Sequence, residues 1–324
     1  MSIKAIVVSL ALVAGSGGGL AANPSAAESG PVVRTDDIDR FWVAYDAVRA
    51  VSDPAQQQAL IQRLYIDQGT PGLKAMMEVK GYTAQTYVEA IRSYPRYWDS
   101  VRPRTLLAND GLVGLRTHLD RFRQIYPALR PAGIYFEIGA LKSAGTTQGD
   151  KVLLGAELAT GDPSVDTSEM SPGLRRFLTT YFATRPFDNL DLLAVHEFVH
   201  TQERGERGTL LAQAIYEGVA DFVAERVTGR LPDLDYVTYG PAHDAAIKAA
   251  FRKDMMANAY DGWLYNSTDN PFGVRDLGYY VGYAICQGYY ARATDKSAAL
   301  AAMIELDFAD QAAVQGFVDA SGYF

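Results

Sequence analysis

The sequence predicts a mainly helical α+β fold with a small antiparallel or mixed sheet. Three observations carry that expectation. Apolar residues return at three- and four-residue steps through the first third of the chain and again through most of its second half. The period breaks in the middle, where "GIYFEIGAL" and "VLLGAELA" flank a stretch dense in Gly, Ser and Thr. No internal repeat or long low-complexity linker divides the 324 residues, and an apolar fraction of 48% supplies ample material for a core.

The first residues read as a processing signal. "MSIKAIVVSLALVAGSGGGLAA" offers Lys4, an apolar run over 5–14 and then small residues. A signal over 1–21, with cleavage between 21 and 27, fits this pattern, and the apolar run is too short to span a bilayer. The chain is therefore expected to be exported, periplasmic or secreted, without stable membrane insertion after processing. Helical periodicity then runs over 37–51, where Ile38, Phe41, Trp42, Tyr45 and Val48 share a face, and over 54–66, which opens on Pro54. Pro71 starts another segment, and "TAQTYVEAIRSYPRYW" and "NDGLVGLRTHLDRFRQIYPAL" continue the period. Residues 35–130 thus form a helical region without ligand spacing. His118 stands alone on one of these helices and is expected to be an ordinary boundary residue.

"GIYFEIGAL" and "VLLGAELA" are expected as two strands joined by the loop "KSAGTTQGDK". The second could be a core strand, or an edge that pairs with an extended peptide beside the open Gly155-Ala156 pair. Helices follow over 173–181, 192–202, 210–227, 244–259, 279–293 and 296–306. Region 131–324 is expected to pack with 35–130 as one unit.

Charge and cysteine content narrow the function. A net charge of -8 without a Lys/Arg cluster argues against nucleic acid as a partner. The single cysteine, Cys286, excludes an internal disulfide and reads as a small buried hydrophobe.

Two of the four histidines fall in "LDLLAVHEFVHTQERG". His196 and His200 are four apart, so on a helix both imidazoles project from one face, with Glu197 beside them. Apolar residues occupy the other sides, and buried imidazoles without partners are costly. Downstream, "TLLAQAIYEGVADFVAERVTG" places Glu217 and Asp221 one turn apart on a second apolar helix, with Gly205 and Gly208 breaking the path between. Glu217 can then be a third metal ligand beside His196 and His200, in the open arrangement of a catalytic zinc site. Asp221 can accept a hydrogen bond from either imidazole and fix its tautomer. The absence of thiolates and the presence of two imidazoles favour Zn2+ over calcium or magnesium. Zinc acidifies water and polarises a carbonyl, and Glu197 can take up the water's proton. Tyr283, in "YYVGYAICQGYY", is the candidate donor to the oxyanion, with Tyr280 and His243 behind it.

These residues resemble a zincin of the glutamate-ligand type. "IYFEIGALKSAGTTQGDKVLLGAE", "HEFVH", "LLAQAIYEGVADFVAE" and "GYYVGYAICQGYY", in that order, resemble a family of predicted zinc-dependent peptidases related to bacterial gliding-motility lipoproteins, over roughly 134–292. The resemblance implies a zincin-like metallopeptidase fold with the sheet beside the metal-binding helix. It also implies zinc at His196, His200 and Glu217, Glu197 as general base, and a peptide or protein substrate. The lipid-modified cysteine of those lipoproteins has no counterpart here. Two other functions stay open at this point: a zinc hydrolase acting on another amide or cell-wall linkage, and a non-catalytic helical envelope protein.

Overall fold

A computed structural model describes residues 32–109 and 112–324, so the expected processing signal lies outside the described residues. Their architecture is mainly helical, with fifteen α-helices and one four-stranded mixed sheet among the described residues. Contacts divide the chain into two units. One, the sheet unit, comprises the described residues up to Arg116 together with Pro131–Phe187. The other, the histidine unit, comprises Thr117–Arg130 and Asp188–Phe324. In this division the central strands group with the first helices, on which they pack, rather than with the later ones.

The sheet unit begins with β1 (Val33–Arg34), α1 (Asp36–Arg49), α2 (Pro54–Ile61), α3 (Pro71–Lys80), α4 (Ala84–Ser93) and α5 (Pro95–Thr105). Local chemistry sets these boundaries. Asp53 accepts the Gln56 N–H at 3.0 Å and Pro54 takes the first helical position of α2. Thr70 and Pro71 repeat that start at α3. The periodic run "TAQTYVEAIRSYPRYW" forms two helices, because the residue before a proline is pushed out of helical geometry, and Tyr94 sits at φ -135°, ψ 50°. Phe41 anchors the core, with ring centroids at 5.1 Å from Trp42, 5.3 Å from Tyr65 and 5.2 Å from Trp98.

After α6 (Leu112–Ile125) come β2 (Gly133–Glu137), β3 (Gly145–Gln148) and β4 (Lys151–Gly155), then α7 (Ala156–Ala159) and α8 (Pro172–Ala183). The sheet order is β1-β2-β4-β3; β2 runs parallel to both β1 and β4, and β3 antiparallel to β4. Two expectations change here. The supposed loop contains a strand, closed by a tight turn in which Gly149 takes φ 56°, a region open to glycine. "VLLGAELA" is strand only through Gly155, and β4 is hydrogen-bonded on both sides, so it offers no edge to a peptide. A Cβ on Gly155 would fall 2.2 Å from the Ser143 carbonyl oxygen, so its smallness serves the chain's own packing.

The histidine unit is built around α9 (Leu190–His200) and α10 (Leu210–Thr228), followed by α11 (Asp235–Ala242), α12 (Asp244–Asp254), α13 (Leu277–Arg292), α14 (Lys296–Ile304) and α15 (Gln311–Ser321). Every residue of α10 from Leu210 to Ala224 is buried, so this helix is the core of the unit. It starts on Thr209, which accepts the Ala212 N–H, and stops at Gly229 with φ 83°. Both α9 and α13 pack against it. The α10–α13 crossing brings backbone onto backbone: a Cβ on Gly218 would fall 2.0 Å from the Gly282 carbonyl carbon, and one on Gly282 would fall 1.8 Å from the Ala214 oxygen. Cys286, further along α13, is wholly buried. His118 pairs with Asp191 at 2.8 Å.

Candidate metal centre

Helix α9 carries His196 and His200 on one face, and the connection through residues 201–209 returns the chain as α10, which presents Glu217 to them. His196 Nε2 and His200 Nε2 are 3.1 Å apart, and Glu217 Oε2 lies 3.4 Å from the first and 3.3 Å from the second. Two ligand atoms on a tetrahedral zinc, each ~2.0–2.1 Å from the ion, stand about 3.3–3.4 Å apart. The three atoms therefore form one face of such a coordination shell. His196, His200 and Glu217 make a zincin-type metal site, and no other group of three His, Cys, Asp or Glu among the described residues comes close enough to hold an ion.

Each of the three is held from behind. His196 Nδ1 meets Asp221 Oδ1 at 2.9 Å, and the other Asp221 oxygen accepts the Tyr236 hydroxyl at 2.7 Å. His200 Nδ1 meets Glu203 Oε2 at 2.6 Å. A carboxylate at Nδ1 places the proton there and turns the Nε2 lone pair towards the shared point. Glu217 Oε1 accepts from the Gln213 amide at 3.1 Å and from the Tyr265 hydroxyl, which leaves Oε2 for the imidazoles. The His200 ring stacks on Tyr216 at 4.0 Å, and the Arg207 guanidinium lies 4.1 Å from the Tyr216 centroid. Tyr265 reaches Glu217 from a left-handed backbone position, φ 56°, which is unusual for a bulky residue and common at ligand sites.

The electrostatics call for positive charge. Burial disfavours an imidazolium at His200, yet Glu203 and Glu217 outweigh it and lift the group to about 9. At His196 burial is likewise overridden, chiefly by the hydrogen bonds to Asp221 and Glu217, and the ring is held well above its ordinary value. Burial alone would raise the Glu217 carboxyl, but the two imidazoles bring it far below the usual carboxylate range. A divalent ion answers the same demand with two nitrogens and one oxygen, a donor set suited to zinc. Three protein ligands is the number found in catalytic rather than closed structural sites. Glu197, 2% exposed, is close enough to His196 to raise its basicity.

The tyrosine expected at the site lies elsewhere. Tyr283 donates to Glu225 at 2.8 Å, two turns along α10 from Glu217. Tyr280 donates to Asp244 at 2.8 Å, and His243 is exposed, stacked on Tyr239 at 3.8 Å. Of the two possible recipients of Asp221, the structure selects His196. Sequence reasoning missed Glu203, Gln213, Tyr216, Tyr236, Tyr265 and Tyr279. Glu203 and Gln213 were within reach, at three residues from His200 and four from Glu217. The tyrosines at 236, 265 and 279 carry no spacing signal. No protein-family model, curated protein or solved structure matches this chain.

Proposed function

We propose that the chain is an exported zinc-dependent metallopeptidase. One observation carries this: two imidazole nitrogens and one carboxylate oxygen converge at 3.1, 3.3 and 3.4 Å, each backed by a hydrogen bond that directs it to the common point. His196, His200 and Glu217 hold the ion, which when bound makes water acidic near neutral pH and polarises a carbonyl. Glu197 takes the proton of the attacking water and passes it to the leaving amine. Its burial, at 2% exposure, shields it from bulk water. Asp221 and Glu203 hold the two imidazoles in one tautomer through the cycle.

A peptide or protein substrate is preferred over other amides on the resemblance of the sequence motifs to zinc-dependent peptidases, and periplasmic or secreted residence is proposed from the N-terminal pattern. No helix of the described residues is long and apolar enough to cross a membrane. The test is a peptide-library digestion with zinc-loaded wild type and Glu197→Gln, with zinc content measured for both. Cleavage by wild type is expected, falling ~10²–10⁴-fold in kcat in the variant at unchanged zinc content. Equal cleavage by the two would remove Glu197 from the reaction. A zinc-loaded wild type that cuts no peptide would exclude the peptidase.

A further inference from the structure

Four tyrosines gather around the metal centre, and three have an evident task. Tyr236 donates to Asp221 and Tyr265 to Glu217, so the protons of both hydroxyls are committed to anchoring groups that hold the metal. Tyr216 lies flat beneath His200, is 3% exposed and has Arg207 over its ring. Tyr279 differs. Its ring is inclined 27° to His196 at 6.3 Å, and Tyr236 and Tyr265 flank it at 5.4 and 6.3 Å. It is half-buried, and its hydroxyl makes no hydrogen bond to any described residue. A partly exposed phenol hydroxyl with no partner in the chain keeps its proton available to a bound molecule. Here the position is fixed from below: the Gly218–Gly282 contact seats α13 against α10, and Tyr279 lies one turn before Gly282 on that helix.

We infer that Tyr279 is a catalytic residue whose hydroxyl donates to the substrate oxygen that becomes negatively charged. This rests on the hydrolase reading and adds to it the residue that stabilises the intermediate. As the water oxygen bonds to the carbonyl carbon, its proton passes to Glu197 and the C=O π pair moves onto the carbonyl oxygen. That oxygen accepts the Tyr279 hydrogen bond. When the pair returns, the C–N bond breaks and the proton on Glu197 goes to the amine. Tyr279 keeps its own proton throughout. Tyr283, one turn later on the same helix, is committed to Glu225 and takes no part.

The full chain, zinc-loaded, is compared as wild type, Tyr279→Phe and Tyr283→Phe. Three quantities are read: zinc content, kcat and KM on a cleaved library peptide, and calorimetric affinity for a phosphinic pseudo-peptide whose tetrahedral group mimics the intermediate. Tyr279→Phe is expected to keep its zinc, to lose ~10²–10³-fold in kcat with KM within about threefold, and to bind the phosphinate about 10²-fold more weakly. Tyr283→Phe should match wild type in all three. Phosphinate affinity and kcat within about threefold of wild type in Tyr279→Phe would overturn the assignment, as would a loss that merely tracks lost zinc. The phosphinate arm does not need turnover, so a wild type without peptidase activity would sink the hydrolase reading while this arm still decides on Tyr279.

Discussion

Both units bury carboxyl groups, and they satisfy them differently. In the histidine unit Asp221, 4% exposed, has a partner on each oxygen. Glu217, 1% exposed, accepts two hydrogen bonds on Oε1 and turns Oε2 to the two imidazoles, and Glu203 meets His200 through one oxygen. In the sheet unit Glu157 accepts the Gly139 and Leu141 N–H groups, while Glu137, 0% exposed, has no hydrogen-bond partner on either oxygen among the described residues. Burial, with the neighbouring charges of Asp37 and Glu157, pushes the Glu137 carboxyl well above its ordinary value. A buried acid of this kind avoids its desolvation cost by staying neutral. A buried acid facing two imidazoles stays charged and recruits a cation. Burial of an acid is thus no mark of a site; what marks one is the convergence of lone pairs that other groups have already oriented.

The first way to break this comparison is Asp221→Asn. An amide oxygen cannot serve both the His196 Nδ1–H and the Tyr236 hydroxyl as the carboxylate does, so zinc affinity should fall ~10–100-fold, about 1.4–2.7 kcal/mol. Competition with a chromophoric chelator measures it, and an unchanged affinity would mean that the imidazole needs no support. The second concerns pH and the other unit. Glu137 has a folded value above its ordinary 4.5, and Glu157 is raised by burial to about 7. Folding therefore takes up protons above pH 4.5. Stability from these groups is complete below that value and is lost as pH rises towards the folded values, with a slope of up to ~1.4 kcal/mol per pH unit for each proton. Glu137→Gln should remove its share of the slope. Urea unfolding from pH 5 to 7, followed at Trp42 and Trp98 in a Trp263→Phe background, reads the sheet unit. An identical slope in the variant would show that Glu137 is charged when folded.

The site was legible where it is local. His196, His200, Glu217 and Asp221 lie on two consecutive helices, so spacing alone implied the cluster that the fold brings together. Residues that arrive through tertiary packing were not. Tyr236 and Tyr265 lie 15 and 48 residues from their acceptors, and nothing periodic connects them. Helical periodicity recognised α13 but could not choose its phase against α10, which the Gly218–Gly282 contact sets, so the ranking of Tyr283, Tyr280 and His243 did not bring Tyr279 into view. Among the strands, β3 was hidden by its Gly and Thr content, and the pairing of β1 with β2 spans about a hundred residues of chain. Helices α11 and α15 went unread as well. The starts of α2 and α3 were readable because a capping side chain and a proline stand side by side.

Zinc-edge X-ray absorption on the metal-loaded chain, with zinc content of wild type and Glu217→Ala, bears most directly on the metal centre. One zinc per chain is expected, with two imidazoles and the remaining ligands oxygen at ~2.0–2.2 Å, and with zinc lost from Glu217→Ala. A wild type without stoichiometric zinc, or a shell that lacks the two imidazoles or persists unchanged in Glu217→Ala, would contradict the assignment.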